Sequence, residues 1–515
     1  MASNSKDQRQ VFDTLPGGVR KIVLATNIAE TGITIPDVAF VIDSARVNQI
    51  GYNYKRGMQS LDEVFVSQAS ALQRQGRAGR VSPGICFRLV SCEKFDSLDK
   101  FTTPEILRVP LNEICLTIMV SYKESPLQYL SEALDPPKQE AIVASLTVLE
   151  DMGALKIVNE DDENFGEVSL FQVGSYNYTV TGLGKLLSRI PLDVKLAKML
   201  ILAKVFGCLE PMLTIAASFG EKSPFRFKLN EAESRTIDFR WGDSDLLPIH
   251  KCYILWRSCD EISKRKAFAK KHNLDHRVLI SIDKARKDLI RSLDAFNIDQ
   301  DMTPIPVAAS LEKYFKDNST VEMLSAVLFA AFGNVARVDI LPSKSNRGKF
   351  DSSAPPVPRH TASPDKDVQY LCKDGEVSLF PGSVNHGRGK GILSMERPND
   401  NRTQWITYLE KLKTSRIFLR DSTFIPPAAI ALFGNRVNIY HAERRIVVDD
   451  WVCLQVPPRT AVVLKTLKDA FDGLLEDEFL KYVNVDQTEV EAETPTIDFA
   501  TVVSLIVDVL RDSDN

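Results

Sequence analysis

Apolar residues follow three different rhythms along this chain. Near the N-terminus, residues 21–26 (KIVLAT) and 38–43 (VAFVID) are short, β-branched runs of the kind that fill buried strands. Residues 46–50 and 61–67 alternate apolar with polar around a turn-like stretch, 51–60, which predicts a long β-hairpin. Ser67 is suited to N-cap a helix running toward Gly79, and residues 84–90 (GICFRLV) read as a further strand. Strand, helix and strand in succession predict an α/β layer.

The rhythm then changes to a helical period. Residues 136–152 space Ile142, Val143, Leu146, Leu149 and Met152 along one helix, with proline at its start and Gly153 as its stop. Short runs at 154–158, 169–173 and 176–181 predict strands, and a helix with a small hairpin is what a winged-helix domain presents. Residues 182–309 are mostly helical by pattern. From Leu324 short apolar runs split by Gly and Pro predict β-structure, interrupted by a flexible segment at 342–367. An amphipathic helix at 461–483 and a last helix at 497–511 close the chain.

Composition narrows the class. With 515 residues, 44% hydrophobic and 26% charged, the chain has room for three or four domains and is neither disordered nor fibrous. No apolar stretch approaches the ~20 residues of a membrane span, so no membrane partner is expected. Eight cysteines without a CxxC pair fit a reducing compartment, cytosol or nucleus. The net charge of −4 is unevenly placed. Residues 257–291 hold eleven Lys/Arg against five Asp/Glu, and 472–515 hold two against twelve. The basic stretch suits a polyanion, the alternative being a solvated helix surface.

Two stretches carry chemistry. In 73–80 (QRQGRAGR), a helix would place Gln73, Arg77 and Arg80 on one face at i, i+4 and i+7. Two guanidinium forks there suit a polyphosphate. Gly76 and Gly79 inside a helix would each cost about 1 kcal/mol, which asks for a compensating reason such as close approach of another surface. In 25–35 (ATNIAETGITI), small polar groups follow a strand, where α/β sheets bind ligands, although a plain strand-exit loop reads the same way. His272 and His276, four apart, have no third ligand nearby and read as a solvated pair, so no metal site is expected. The loop 387–391 (GRGKG) lacks the spacing of a phosphate loop.

Together the two stretches resemble motifs six and five of the DEAH-box/RNA-helicase-A-like RNA helicases. Gln75 stands where that family usually has alanine, Gly32 where it has serine, and Pro36 where many members hold the ATP ribose with aspartate. The spelling is most similar to the branch containing the small-ribosomal-subunit-associated initiation helicase. The resemblance continues in order through Glu105–Arg108, Asp135-Pro136-Pro137, Thr181–Gly184, Pro191-Leu192-Asp193, Gly333–Arg337 and 379–384 (LFPGSV).

What it implies is a multidomain α/β plus α plus β chain. A truncated second RecA-like lobe spans 1–92, a winged helix 93–189, a helical ratchet bundle 190–310, an OB-fold 311–457 with the insertion 342–367, and an acidic C-terminal helical extension 458–515. The resemblance implies an ATP-dependent RNA helicase acting on single-stranded RNA, possible at the small ribosomal subunit, in the cytoplasm or nucleus. Gln73, Arg77 and Arg80 are its expected catalytic residues. Phe12 would stack on adenine, unless it is a core residue, and Glu30, Thr31 and Asp37 would serve ATP; Thr26 and Asn27 would meet the RNA backbone. The sequence holds no GxxxxGK[ST] and no DExH box, so Mg²⁺ ligands are expected on a first lobe outside it, and this chain alone is expected to be inactive. The other reading is a non-catalytic RNA- or ribosome-binding module.

Overall fold

The structure is a computed structural model. It describes residues 11–13, 16, 18–32, 35, 37–54, 58–80, 83–158, 171–173, 176–225, 239–294, 311–340, 368–386, 404–414, 416–483 and 498–511. The insertion 342–367, the loop 387–391, the acidic stretch 159–167 and most of the acidic tail lie outside these residues. The chain divides into two compact units, the first Met1–Asn53, Gln59–Pro110 and Leu134–Pro137, the second Tyr54–Met58, Leu111–Ala133 and Lys138–Asn515.

The first unit runs α1 (Ile28–Thr31), β1 (Phe40–Asp43), β2 (Arg46–Asn53), β3 (Met58–Phe65), α2 (Gln68–Gln75), β4 (Ile85–Arg88) and α3 (Cys92–Asp96). The expected hairpin is there as β2 and β3. β1 and β4 pair in parallel, Phe40 opposite Ile85 and Asp43 opposite Arg88. Residues 21–26, expected as a strand, form none, since among the described residues no strand pairs with them; Ile22 and Leu24 are 86% and 97% exposed. The two-residue period of β1 and β4 puts Phe40, Ile42, Ile85 and Phe87 on one face, and all four are exposed, with the two phenylalanine rings 6.5 Å apart. α2 packs on β1. The unit's small core is Ala45, Val66 and Ala71, ringed by Val47, Phe65, Val90 and Phe95.

The second unit opens with α4 (Asn112–Thr117), continued by a π-helical turn, Ile118–Tyr122, and α5 (Pro126–Ser131). α6 (Gln139–Asp151) buries Ile142, Leu146 and Leu149 at the expected spacing, and Gly153 ends it at φ +77°. β5 (Leu155–Val158), β6 (Phe171–Val173) and β7 (Tyr176–Val180) form an antiparallel sheet in the order β5-β7-β6. α7 (Gly182–Leu187) is N-capped by Thr181, whose hydroxyl accepts from the Gly184 N–H.

A helical bundle follows: α8 (Val194–Val205), α9 (Leu209–Phe219), α10 (Leu247–Arg257), α11 (Ile262–Lys271) and α12 (His276–Asp294). Every residue of α9 from Leu209 to Ser218 is buried, so it forms the axis on which α8, α10 and α12 pack. Even its charge is matched there: Glu210 receives Arg286 Nη2 at 2.6 Å.

α13 (Leu311–Lys316) and α14 (Asn318–Phe332) correct the β-structure expected from Leu324. Asp317 caps α14 and Gly333, at φ +67°, stops it. All residues Leu324–Phe332 are buried, so this part of the helix has no polar face and its apolar run carries no 3.6-residue rhythm.

The β-structure begins at β8 (Val335–Ile340) and continues with β9 (Val368–Cys372), β10 (Gly375–Leu379), β11 (Gln404–Lys413) and β12 (Ile417–Ile425). The order β12-β10-β9-β8-β11, with β11 pairing back onto β12, closes a five-stranded barrel around Ala336, Val338, Tyr370, Ile406, Tyr408 and Leu419. Residues 243–245 fasten the helical bundle to it. Asp245 accepts from Val384 N at 2.7 Å, Ser422 N at 2.8 Å and the Ser383 and Ser422 hydroxyls, while Ser244 Oγ meets Thr423 Oγ1 at 2.7 Å.

α15 (Pro427–Phe433), the meander β13 (Val437–Tyr440), β14 (Arg445–Val448) and β15 (Val452–Gln455), then α16 (Pro458–Val483) and α17 (Phe499–Arg511) complete the unit. The last two helices are integral to it. Phe471 lies 5.7 Å from Phe206 and 6.0 Å from Phe433, and Glu476 accepts from the N–H of Gly182 at 2.6 Å.

Candidate functional site

The residues singled out for phosphate and RNA chemistry all lie in the first unit, which places them by a chain of charge contacts. Helix α2 begins at Ser67, whose hydroxyl accepts from Ser70 N at 3.2 Å. It ends at Gln75, one turn earlier than the sequence suggests, with Gly76 as C-cap. Beyond it the chain continues in tight turns: Arg77 N donates to Arg74 O, and Ala78 N to Gln75 O. Gln73, Arg77 and Arg80 therefore do not share one helix face. Gln73 lies on the last helical turn and the two arginines on the loop after it. The two glycines likewise need no mid-helix explanation. Gly84 is where backbone approach matters, since a Cβ there would meet Ala78 O at 1.9 Å.

Arg74, which a common helix face left out, is the hub. Its Nε meets Glu30 Oε2 at 3.0 Å, and its Nη1 meets Asp43 Oδ1 at 2.9 Å and Arg46 O at 3.1 Å. Arg77 donates through Nη2 to the carbonyl of Glu30. Partial burial, then the charge of Arg80, draws the Arg77 guanidinium below its ordinary pKa. Glu30 is thus gripped by two arginines, side chain and backbone, which fixes α1 against the end of α2. Its carboxylate is occupied by Arg74, so Glu30 serves the site as a brace. Arg80 and Gln73 are exposed, Arg77 half-buried.

Thr26 and Asn27 sit exposed at the start of α1, and Asn27 makes no side-chain cap, so its amide is not consumed in holding the helix. Thr31 is exposed at the helix end. Lys21 gathers the remaining candidates. Its ammonium donates to Val11 O at 2.9 Å and Asp13 O at 3.0 Å and pairs with Asp37 at 2.7 Å. That bond holds the Asp37 carboxyl below its usual range. Phe12, on the same turn, is 47% exposed, which excludes the core reading and leaves an open aromatic ring. Asp37, already paired with Lys21, fits a ribose contact less well.

Sequence reading missed Arg74, Asp43 and Gln68. Asp43 had a signal, as the one charge ending an apolar strand run. Gln68 directs its amide at the carbonyls of Phe95, Asp96 and Leu98, at 3.3, 3.2 and 3.0 Å, and pins the loop after α3 to α2. The two histidines are not a pair on one helix: His272 caps α11 and His276 opens α12, accepting from Trp256 Nε1 at 3.1 Å. Neither is a free solvated ring, since His272 lies 4.6 Å from Phe268 and 5.3 Å from Phe239. Among the described residues no cluster could hold a metal, and no helix is long and apolar enough to cross a membrane.

Comparison with known proteins agrees with this architecture. The helicase conserved C-terminal domain matches residues 2–82, the ratchet-like helicase associated domain 193–283, and the oligonucleotide/oligosaccharide-binding fold 323–437. The chain is 36% identical over 486 residues to the ATP-dependent RNA helicase dhx29 of Xenopus laevis, covering 92% of this chain and 32% of that protein. It is 35% identical to human DHX29, and 31% identical to the ATP-dependent DNA/RNA helicase DHX36 of Mus musculus, where 98% of this chain and 46% of the relative align. It spans about a third to a half of the length of these relatives. Three family domains in the expected order, on a fold that supplies each, make this chain a member of the DEAH-box RNA helicases, corresponding to their C-terminal portion.

Proposed function

We propose that this chain is the C-terminal, RNA-engaging part of an ATP-dependent RNA helicase that couples ATP hydrolysis to translocation along, or unwinding of, RNA in translation or RNA metabolism. In this reading the first unit is a truncated RecA-like lobe, the α6 and β5–β7 region a winged helix, and the barrel an OB-fold. ATP with Mg²⁺ supplies the phosphoryl chemistry when bound, with its phosphate loop and metal ligands on a lobe outside this sequence. Gln73, Arg77 and Arg80 supply donors toward the phosphates, Phe12 an aromatic face, and Thr26 and Asn27 the backbone grip on single-stranded RNA. The observation that carries the reading is the double grip of Arg74 and Arg77 on Glu30. It ties the RNA-side loop at Asn27 to the arginine-bearing turn, so one element can report to the other.

RNA binding is the direct test. Lys264, Lys266, Lys270 and Lys271 of α11 are exposed, as are Arg277, Lys284 and Lys287 of α12. Fluorescence anisotropy with single-stranded RNA is expected to give a log affinity falling linearly with log salt. Affinity indifferent to salt, or no binding at low salt, would refute it. The chain alone is expected to show no ATP turnover, and RNA-stimulated hydrolysis by it would overturn that expectation. Joined to a first lobe, Arg77→Ala or Arg80→Ala should slow hydrolysis by on the order of 10³-fold. The second reading, a non-catalytic RNA- or ribosome-binding module, is favoured by one observation: the barrel and bundle are closed and well buried while the β1–β4 sheet is not.

A further inference from the structure

The first unit contains a cleft of about 600 Å³ whose walls are α1, the β2–β3 hairpin, the start of α2 and the segment 94–108. Its size falls within the range of ligand sites. Asn27 lies on one wall; Ser70, Phe101, Thr102 and Arg108 lie on others. We infer that this cleft is a groove for single-stranded RNA in which Phe101 stacks on a base and Arg108 holds a phosphate. The inference rests on the RNA reading above and extends it to residues that neither motif contains.

Phe101 is 76% exposed, yet the backbone beside it is firmly held. Gln68 N donates to Asp99 O at 2.8 Å and Ala69 N to Lys100 O at 3.1 Å. The preceding Leu98 is buried, and its carbonyl takes the Gln68 amide. A large apolar ring is therefore presented to solvent by a fixed backbone. Those bonds also satisfy the first N–H groups of α2, so anion binding in the cleft falls to side chains rather than to the helix end.

The side chains suit a phosphodiester. The hydroxyl of Thr102 lies 3.2 Å from that of Ser67 and 3.5 Å from that of Ser70. Arg108 spans two walls through long bonds, Nε to Thr103 O at 3.4 Å and Nη1 to Ile50 O at 3.5 Å, and its guanidinium has five donors. Of the two lining carboxylates, Glu30 shares the Arg74 guanidinium with Asp43, and Asp99 stands against Arg108 and Lys94. A small polyanion would demand a denser cationic cage. An aromatic platform beside one or two cations and several hydroxyls matches the way single strands are held, base by base.

The test is anisotropy of a fluorescent twelve-nucleotide oligouridylate titrated with the full chain across a salt series. Phe101→Ala should weaken binding about fivefold or more with the salt slope unchanged, and Phe101→Tyr should restore it. Arg108→Ala should lower the slope of log affinity against log salt by about 0.7, the loss of one single-strand phosphate contact. The thermal melt of Phe101→Ala should match the parent, since that ring is solvent-facing; Arg108→Lys, which keeps the charge and gives up the fork, should keep the salt slope and so separates phosphate contact from bracing of the cleft. Salt-dependent binding by the parent with both variants indistinguishable from it overturns this groove and leaves the RNA reading standing. No binding by the parent at low salt overturns both.

Discussion

At the scale of the residue, the ion pair between Arg74 and Asp43 decides more than the arginines that drew notice in the sequence. Asp43 is 3% exposed, and truncating Arg74 would leave its carboxylate buried without its cation. Arg74→Ala should therefore cost about 3 kcal/mol, the cost of breaking a buried pair from one side. Arg80→Ala, at an exposed position, should change the urea midpoint little. Equal midpoints for the two variants would contradict the hub. The candidate residues were proposed from motif spelling, which needs no coordinates. Their division of labour was not legible that way, because it depends on where α2 stops, and no residue before Gly76 marks that stop. A second residue-scale expectation concerns Asp421, held at φ +55° near the half-buried Asp245. Burial, reinforced by Asp245 and Glu410 against Arg420, pushes its carboxyl from 3.8 up to about 6. The folded state thus holds this proton more tightly than the unfolded chain. The contribution is full below pH about 4 and lost as pH rises through about 6, on the order of 3 kcal/mol. Asp421→Asn, which tolerates the same backbone, should remove that part of the stability–pH curve and stabilise the protein at pH 7; superimposable curves would refute it.

At the scale of the element, caps and periods were legible where an element has a wet face and a dry one. Ser67, Gly153 and the β2–β3 alternation were all read correctly for that reason. α14 was misread because it is dry all round from Leu324 on, and residues 21–26 because an apolar run needs a neighbour before it can be a strand. The C-terminal helices show what a sequence cannot weigh. They read as an extension, yet Phe471 is 2% exposed between Phe206 and Phe433, and Phe499 stacks on it at 6.2 Å. Phe471→Ala should cost about 3–5 kcal/mol by emptying this junction. The check is calorimetric: a lowered midpoint for the bundle's transition is expected, and an unchanged one would make α16 a detachable appendage after all.

At the scale of the whole molecule, the two units differ in how well they cover their own apolar surface. The face of Phe40, Ile42, Ile85 and Phe87 is open on a sheet that has two strands among the described residues, which offers apolar area and strand edges without a ladder partner among those residues. The full chain should self-associate at about micromolar concentration, and removing residues 1–103 should relieve it, as read by light scattering. A monomeric full chain would mean that this face is covered. The second unit bears a different consequence, which follows from Asp245. One carboxylate takes bonds from the loop at Ser383 and Val384 and from the strand at Ser422 while standing on the segment that leads into α10. Pulling bundle and barrel apart would break all of these together and leave a half-buried charge without its donors. The two should therefore unfold as one cooperative block and turn as one body, so that any rearrangement within this unit must find its hinge outside that junction.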